Sequence, residues 1–376
     1  SEYMDSFFTY LAPDYINVGD KVSIPLARKP KGAEGYVVSL DTVPGIEADK
    51  VKEIISIDKD RSLTPEIIDT AIWMKSRYGV KYIDAIRMFD VTGKRVPKQL
   101  KAYDETKLED EPILSEEQKN AALDICNSID NQLGKSFLIH GVTNSGKTEV
   151  YIRAAKSAIA RGKTAIVLVP EIALSSQIAE RFSKRFGKEQ VAIMHSKLKT
   201  SERLAEWMRI KSGEAKIVVG ARTAVFAPAS DIGVIIIDEE HESTYKSDHN
   251  PKFETVDVAF RRSKYHNATL VLGSATPSIV SYNRAMDGIY QLIEMKNRIG
   301  NSIMPEVQIV DMRDELRSGN SSIISRQLLA SIAQTVKDGD QVILFLNRRG
   351  FSTQVLCPEC GYIMMCPDCD ITLTYN

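Results

Sequence analysis

The sequence predicts an α/β fold, a parallel sheet covered by helices on both faces, with a phosphate-binding loop at one strand end and a small β-rich unit ahead of it. Three observations predict this. Residues 137–148 read FLIHGVTNSGKT, an apolar run followed by the pattern GxxxxGK[ST]. Apolar runs of strand length recur at 137–139, 165–169, 217–219, 234–237 and 270–272, separated mostly by helix-like stretches; runs apolar on both faces suit a parallel sheet buried between helices. Polar segments begin where those runs end, and in such sheets the carboxyl edge is where ligands bind.

The bulk properties set the bounds. A chain of 376 residues is long for one domain, and about 2 to 3 domains are expected. With 43% apolar and 26% charged residues, it belongs with globular rather than disordered proteins. The net charge is −1, so nucleic-acid binding has to come from local basic patches. No apolar run approaches the ~20 residues of a membrane span, and the N-terminus does not read as a secretory leader. Ser1 stands in place of an initiating Met and is expected to be a processed or introduced start. Of five cysteines, four crowd into 357–369, which argues for a metal in a reducing compartment over a disulfide framework.

In order along the chain, residues 1–60 read as the β-rich unit. Strand patterns at 21–24, 35–40 and 51–57 are punctuated by Pro25, Pro30, Gly32, Pro44 and Gly45. Between the first two runs Arg28, Lys29 and Lys31 form a basic loop, either solvated or a phosphate contact. Residues 61–112 form a helical, winged-helix-like module and linker. Thr64 is the N-cap and Pro65 the first helical residue of a helix that breaks near Gly79. A short helix over 83–89 follows, then a basic exit and the acidic run 104–111 closed by Pro112.

Residues 113–296 form the nucleotide-binding lobe. Glycines let backbone N–H groups wrap a phosphate chain, and the helix after Gly146 offers its positive end. Lys147 is placed to reach the terminal phosphates and Thr148 to hold Mg2+, with Gly141 opening the loop. Asp238 and Glu239 directly follow a strand in DEEH. Across a sheet edge from a phosphate loop, the first carboxylate suits the metal and the second an attacking water. Gln118 in LSEEQ is a candidate for reading adenine, and His241 for bridging toward the hydroxyls of Ser274 and Thr276 in GSAT, coupling hydrolysis to movement. From 297 to 352 a second lobe begins, with a buried-strand pattern at 341–346. Residues 353–376 carry Cys357-x-x-Cys360 and Cys366-x-x-Cys369, a zinc signal. Only five residues separate the pairs, against the ~15 to 20 of a four-cysteine module, so each pair is expected to serve a different ion.

GVTNSGKT, LVPEIALSSQ at 168–177, GARTAVFAP at 220–228, DEEH, GSATPS and FLNRRG at 345–350, followed by CPECG, together resemble the PriA family of replication-restart helicases. The similarity is strong from Leu114 onward and looser before it. It implies RecA-like superfamily 2 helicase lobes, a domain that binds the 3′ end of a nascent strand at a fork, a winged helix and ATP-driven 3′ to 5′ translocation. The implied cofactors are ATP, Mg2+ and two Zn2+ ions in the complete protein, with Cys357, Cys360, Cys366 and Cys369 as zinc ligands. The implied partners are branched forks, single-stranded DNA, single-stranded DNA-binding protein, primosome proteins and the replicative helicase loader, in a cytoplasmic, nucleoid-associated bacterial setting. Arg222 falls on the DNA track, and Tyr245 and Phe253 fall in the aromatic-rich loop after DEEH, with base stacking expected on Phe253. The later motifs of the second lobe, with their arginine finger, have no counterpart before Asn376; the chain is therefore expected to be a fragment that binds ATP and turns it over poorly. The alternative is a fork-binding scaffold with a nucleotide switch and no unwinding.

Overall fold

The computed structural model describes residues 5–26, 29–40, 42–43, 47–91, 110–170, 177–195, 197–300, 305–345, 357, 360, 362–369 and 371–373. Two compact units are present, Ser1–Ser302 and Ile303–Asn376.

The first unit opens with a three-stranded antiparallel sheet of order β2-β1-β3, formed by β1 (Lys21–Leu26), β2 (Lys29–Tyr36) and β3 (Ser56–Asp58). The expected second strand at 35–40 is corrected. Leu26 already pairs with Lys29 and Lys21 with Tyr36, so the chain turns back within two residues. Lys29 and Lys31 therefore lie on a strand and not in a loop, while Arg28 lies outside the described residues. The expected strand over 51–57 contracts to 56–58, and Val51 is buried instead.

Helix α1 (Pro65–Tyr78) forms as its caps dictate. The Thr64 hydroxyl accepts from the Ile67 N–H at 3.3 Å, Pro65 occupies the first turn, and Gly79 ends the helix at φ 67°. Helix α2 (Tyr82–Arg87) follows; the basic exit and most of the acidic run lie outside the described residues. The buried face of α1 (Ile67, Ile68, Ala71, Met74), with Ile86 and Phe89, shares one apolar core with the large sheet. Beneath it Glu66 forms a buried ion pair with Arg262.

The lobe comprises α3 (Glu116–Asp130), β4 (Ser136–Gly141), α4 (Lys147–Ala160), β5 (Thr164–Leu168), α5 (Gln177–Phe186), β6 (Val191–Met194), α6 (Thr200–Ser212), β7 (Ile217–Gly220), β8 (Ile232–Asp238), α7 (Thr255–Tyr265), β9 (Thr269–Ser274), α8 (Ile279–Met286) and β10 (Gln291–Met295). The sheet is seven-stranded, with order β10-β4-β9-β8-β5-β7-β6. Every pair in it is parallel. Successive side chains leave a strand on opposite faces. Accordingly Leu138, Ile166, Val218, Ile235 and Leu270 join the core shared with α1, whereas Phe137, Ile139, Val167, Ile236 and Val271 join a second core with α3 and α4. All five apolar runs of the sequence are strands of this sheet. The edge strands β6 and β10 are additional.

The second unit contains α9 (Met312–Arg317) and α10 (Arg326–Lys337), neither of which buries a residue. Residues 341–345, expected as a strand, pair with no strand among the described residues; the rest of FLNRRG lies outside them. No helix among the described residues is long and apolar enough to cross a membrane.

Candidate functional site

The phosphate loop sits at the carboxyl end of β4. Its shape depends on residues that enter the left-handed region, Asn144 at φ 65° and Gly146 at φ 83°. A Cβ on Gly146 would strike the Gln118 amide, so a side chain there is excluded by both conformation and space. Helix α4 starts at Lys147, directing its first N–H groups at the loop. Lys147 is 8% exposed; its Nζ donates to the Gly141 carbonyl at 2.9 Å and lies 3.9 Å from Glu239 Oε1.

Two strands away, Asp238 ends β8 opposite Gly273 of β9. Its Oδ1 accepts from the Tyr151 hydroxyl at 2.9 Å, and its carbonyl accepts from the Tyr245 hydroxyl at 2.7 Å. Burial, then the Glu239 charge, raise the Asp238 carboxyl to about 6, against the Tyr151 hydrogen bond and the Lys147 charge. Both phenols are pushed well above their usual range, by burial first and the Asp238 charge next; each stays a donor. Glu239 turns out of the strand at φ 46°, a conformation costly for a non-glycine residue. The His241 Nδ1 shares a 2.7 Å hydrogen bond with Ser274 Oγ, which also accepts from the Thr276 N–H at 2.9 Å. The DEEH and GSAT segments are thus joined through His241 and Ser274.

Beside the loop lies a cavity of about 660 Å³ lined by Gln118, Gly146, Thr148, Glu149, Arg181, Arg185, Arg298 and neighbours. Arg185 forks onto Glu149 at 3.0 and 3.3 Å. Three buried polar atoms here, Arg185 Nε, Arg298 Nε and Ser145 Oγ, have no hydrogen-bond partner among the described residues. Orphaned arginine donors in a cavity at a helix N-terminus suit an anionic nucleotide. The donor set for magnesium, a hydroxyl at Thr148 and a carboxylate at Asp238, is of the oxygen type that ion prefers.

Two expected site residues, Tyr245 and Phe253, are placed otherwise than expected. Gln118 is buried, and both ends of its amide meet the protein. Its Oε1 accepts from the Ser115 N–H at 2.8 Å in a capping box, and its Nε2 faces the Ser145 and Gly146 carbonyls at 3.3 and 3.4 Å; it braces the phosphate loop. Tyr245 and Phe253, expected to meet bases, are 3% and 4% exposed. Phe253 stands edge-on to Phe226 at 4.9 Å, and Phe226 to Phe89 at 4.9 Å, so apolar packing retains both rings in the core. Arg222 donates to the Thr244 and Lys246 carbonyls at 3.0 and 2.7 Å, stapling the loop after DEEH to the turn after β7.

None of the four zinc-motif cysteines is in a disulfide among the described residues. One hydrogen bond recurs at each pair, Cys357 N–H to Tyr362 O and Cys366 N–H to Ile371 O, both 2.8 Å. The amides of Asp368 and Cys369, with the Cys369 side chain, pull the Cys366 thiol down. A stabilised thiolate at Cys366 fits a metal, but among the described residues no three of His, Cys, Asp or Glu gather to hold one. A pair by itself supplies two of the four donors that a tetrahedral zinc site takes.

Sequence reasoning missed Glu240 and Tyr151. Glu240 is buried and accepts from the Ser278 N–H at 2.7 Å and the Ser278 and Ser281 hydroxyls at 3.0 and 2.8 Å, fixing the start of α8. The serine spacing after GSATP was its available signal. Tyr151, one turn beyond Lys147, gave none.

A parallel sheet carrying a phosphate loop, an acidic box and a hydroxyl segment on one edge defines a helicase-type nucleotide lobe. The DEAD/DEAH box helicase family matches residues 118–284, and the 3'DNA-binding domain (3'BD) family of PriA matches residues 2–89. The replication restart protein PriA of Bacillus subtilis (strain 168) is 48% identical over 283 residues, which are 75% of this chain and 34% of that protein. Its namesake in Chlamydia trachomatis is 38% identical over 336 residues, 87% of this chain and 44% of that one. The one in Rickettsia conorii is 37% identical over 367 residues, 96% and 54%. A solved structure of RecG bound to a three-way DNA junction matches at 22% identity and a TM-score of 0.42, covering 61% of this chain and 28% of that one. The chain belongs to the PriA family and corresponds to its N-terminal part. It spans about a third to a half of the length of these curated relatives.

Proposed function

We propose that the chain is the ATP-binding and fork-recognising part of a 3′ to 5′ DNA helicase that restarts replication at stalled or abandoned forks. The observation that carries this reading is the meeting of Lys147, Asp238, Glu239 and His241 on one sheet edge, in a lobe whose core is continuous with α1 of the 3′-DNA-binding segment. Lys147 is the phosphate-binding cation, freed from Gly141 when nucleotide enters. Thr148 and Asp238 would hold magnesium, which would supply positive charge to offset that of the phosphates. Glu239 orients the attacking water, and His241 passes the state of the site to Ser274. Lys29 and Lys31, with Arg28, contact DNA phosphates. The cysteine pairs each contribute to a separate zinc ion in the longer relatives. Single-stranded DNA-binding protein, primosome proteins and the helicase loader are the expected protein partners, in the bacterial cytoplasm.

In this chain ATP binds but turns over slowly. An arginine finger is worth ~10³ to 10⁵ in rate in related phosphoryl transfers, and the chain spans at most 54% of the relatives described. The test is nucleotide binding, DNA-stimulated ATPase and fork binding, measured on the same 376-residue chain. We expect ATP binding, weak hydrolysis and a preference for forks with a free 3′ end. ATPase matching that of a full-length relative removes the slow-turnover reading; absence of nucleotide binding removes the site.

A further inference from the structure

Asp238 is held by a residue that lies in none of the boxes discussed so far. Tyr151 sits on α4, three residues beyond Thr148, and its side chain is fully buried. A buried phenol needs a partner for its hydroxyl. Here the partner is Oδ1 of Asp238, at 2.9 Å.

Room for that hydroxyl comes from a third segment. Gly273, which pairs with Asp238 across β8 and β9, is where a Cβ would land directly on the Tyr151 hydroxyl. Gly273 needs no left-handed conformation, since its φ is not among the positive ones; its missing side chain serves the close approach of the phenol. Three segments far apart in sequence thus converge on one oxygen: the helix after GKT, the first acid of DEEH, and the glycine that opens GSAT. The same helix carries Lys147 and Thr148, so the carboxylate is indexed to the phosphate loop itself and not only to its own strand.

We infer that Tyr151 is a positioning residue that fixes the Asp238 carboxylate for the magnesium–nucleotide complex, with Gly273 as the space it requires. This rests on the reading of the site as an ATP site. Holding a metal-binding carboxylate in one rotamer by a hydrogen bond to its second oxygen is a common means of tuning affinity, worth about 10- to 100-fold.

The test is the Tyr151→Phe variant of the 376-residue chain, which keeps the ring and deletes the hydroxyl. A fluorescent N-methylanthraniloyl derivative of AMPPNP is titrated at a series of Mg2+ concentrations and in EDTA, with thermal unfolding of the nucleotide-free protein measured in parallel. The expected result is an apparent Mg2+ midpoint raised about tenfold with affinity in EDTA unchanged. Gly273→Ala is expected to raise the midpoint likewise, and in an Asp238→Asn background Tyr151→Phe is expected to have no further effect on Mg2+. A wild-type Mg2+ midpoint in Tyr151→Phe, with only its melting temperature lowered, overturns the inference and leaves a packing role. A wild-type chain whose nucleotide binding ignores Mg2+ overturns the ATP-site reading and this inference with it, an outcome distinct from the first.

Discussion

Replacing Glu66 by Gln tests the attachment of the N-terminal segment to the nucleotide lobe. Glu66 on α1 is 2% exposed and Arg262 on α7 fully buried. The pair is bidentate, with Arg262 Nε to Oε1 at 2.9 Å and Nη2 to Oε2 at 2.8 Å. The third nitrogen, Nη1, donates to the Val225 and Ala227 carbonyls at 2.7 and 3.0 Å, and the Thr70 hydroxyl donates to Glu66 Oε1 at 2.9 Å. Burial alone raises the Glu66 carboxyl, but the Arg262 charge and hydrogen bonds, with the His266 ring whose Nε2 lies 3.5 Å away, outweigh it and bring it from 4.5 to about 2. At about 1.4 kcal/mol per pH unit, that is roughly 3 kcal/mol of stability at neutral pH. Because the folded value is depressed, this contribution is complete above about 4.5 and is lost as pH falls through about 2. Glutamine keeps the shape but strands the buried guanidinium, for which about 3 to 5 kcal/mol is the ordinary cost. The two tryptophans flank the junction: Trp73 is on α1, and Trp207 Nε1 donates to the Phe89 carbonyl at 2.8 Å. Urea unfolding followed by their fluorescence should show Glu66→Gln less stable by about 3 kcal/mol at pH 7, a gap that narrows from pH 4.5 downward. Exchanging both partners for Met should recover most of the loss. A Glu66→Gln protein within about 1 kcal/mol of the parent, a margin usual for exposed pairs, would refute the reasoning.

Other outcomes follow from the same geometry. Lys147→Ala should lose nucleotide binding in a fluorescent-ATP titration while keeping its melting temperature within a few degrees, since the side chain makes one hydrogen bond, to the Gly141 carbonyl, and a long 3.9 Å approach to Glu239. Magnesium-dependent nucleotide binding should weaken as pH falls through about 6, where Asp238 takes up a proton, by up to about tenfold per unit below that value. Its effect on stability has the opposite sense: a raised carboxyl favours the fold most below 3.8 and loses that contribution as pH rises through about 6. Arg222→Met should cost about 1 to 2 kcal/mol, two hydrogen bonds from a charged donor, partly exposed, and should speed amide exchange over 244–247; unchanged exchange there would remove the staple. Zinc titration with a colorimetric chelator should find only weak binding by this chain, and one ion bound tightly by four thiolates would show that the two pairs share a metal.

The centre of the sheet was legible because strands buried on both faces must be apolar throughout, and the runs at 165–169 and 234–237 can hardly be anything else between turns. Its edges were not. Gln291–Met295 reads QLIEM, with Gln291 and Glu294 exposed at the rim, and Val191–Met194 is only four residues long. In the N-terminal sheet, Lys29–Tyr36 reads KPKGAEGY, a composition of turns, and only its pairing with Lys21–Leu26 makes it a strand. The phosphate loop and acidic box were legible because their chemistry fixes residue types at close spacing. The aromatic loop misled for the converse reason: an aromatic side chain looks the same in sequence whether it faces solvent or, like Phe253, packs edge-on against Phe226. Long-range partners such as Glu66 and Arg262, 196 residues apart, leave no local mark.

That loop has a physical role other than projecting rings. Tyr245 holds the Asp238 carbonyl from below, the Lys246–Glu254 bridge closes the loop, and Arg222 ties its first half to the turn after β7. Its far end meets the N-terminal segment: Arg77 pairs with Asp257 at 2.9 Å, and the Tyr78 hydroxyl faces the Glu254 backbone at 3.4 to 3.5 Å. A continuous set of packed and hydrogen-bonded groups therefore runs from the end of α1 to the backbone of the first acid of DEEH, while Tyr151 reaches the carboxylate of the same residue from the phosphate loop. Asp238 is the point at which the two supports meet. Coupling between sites needs an element that both can bias. The segment from Asp238 to Asp257 is the one that touches both, meeting the end of α1 through Glu254 and Asp257 and the helix after the phosphate loop through the Asp238 carboxylate.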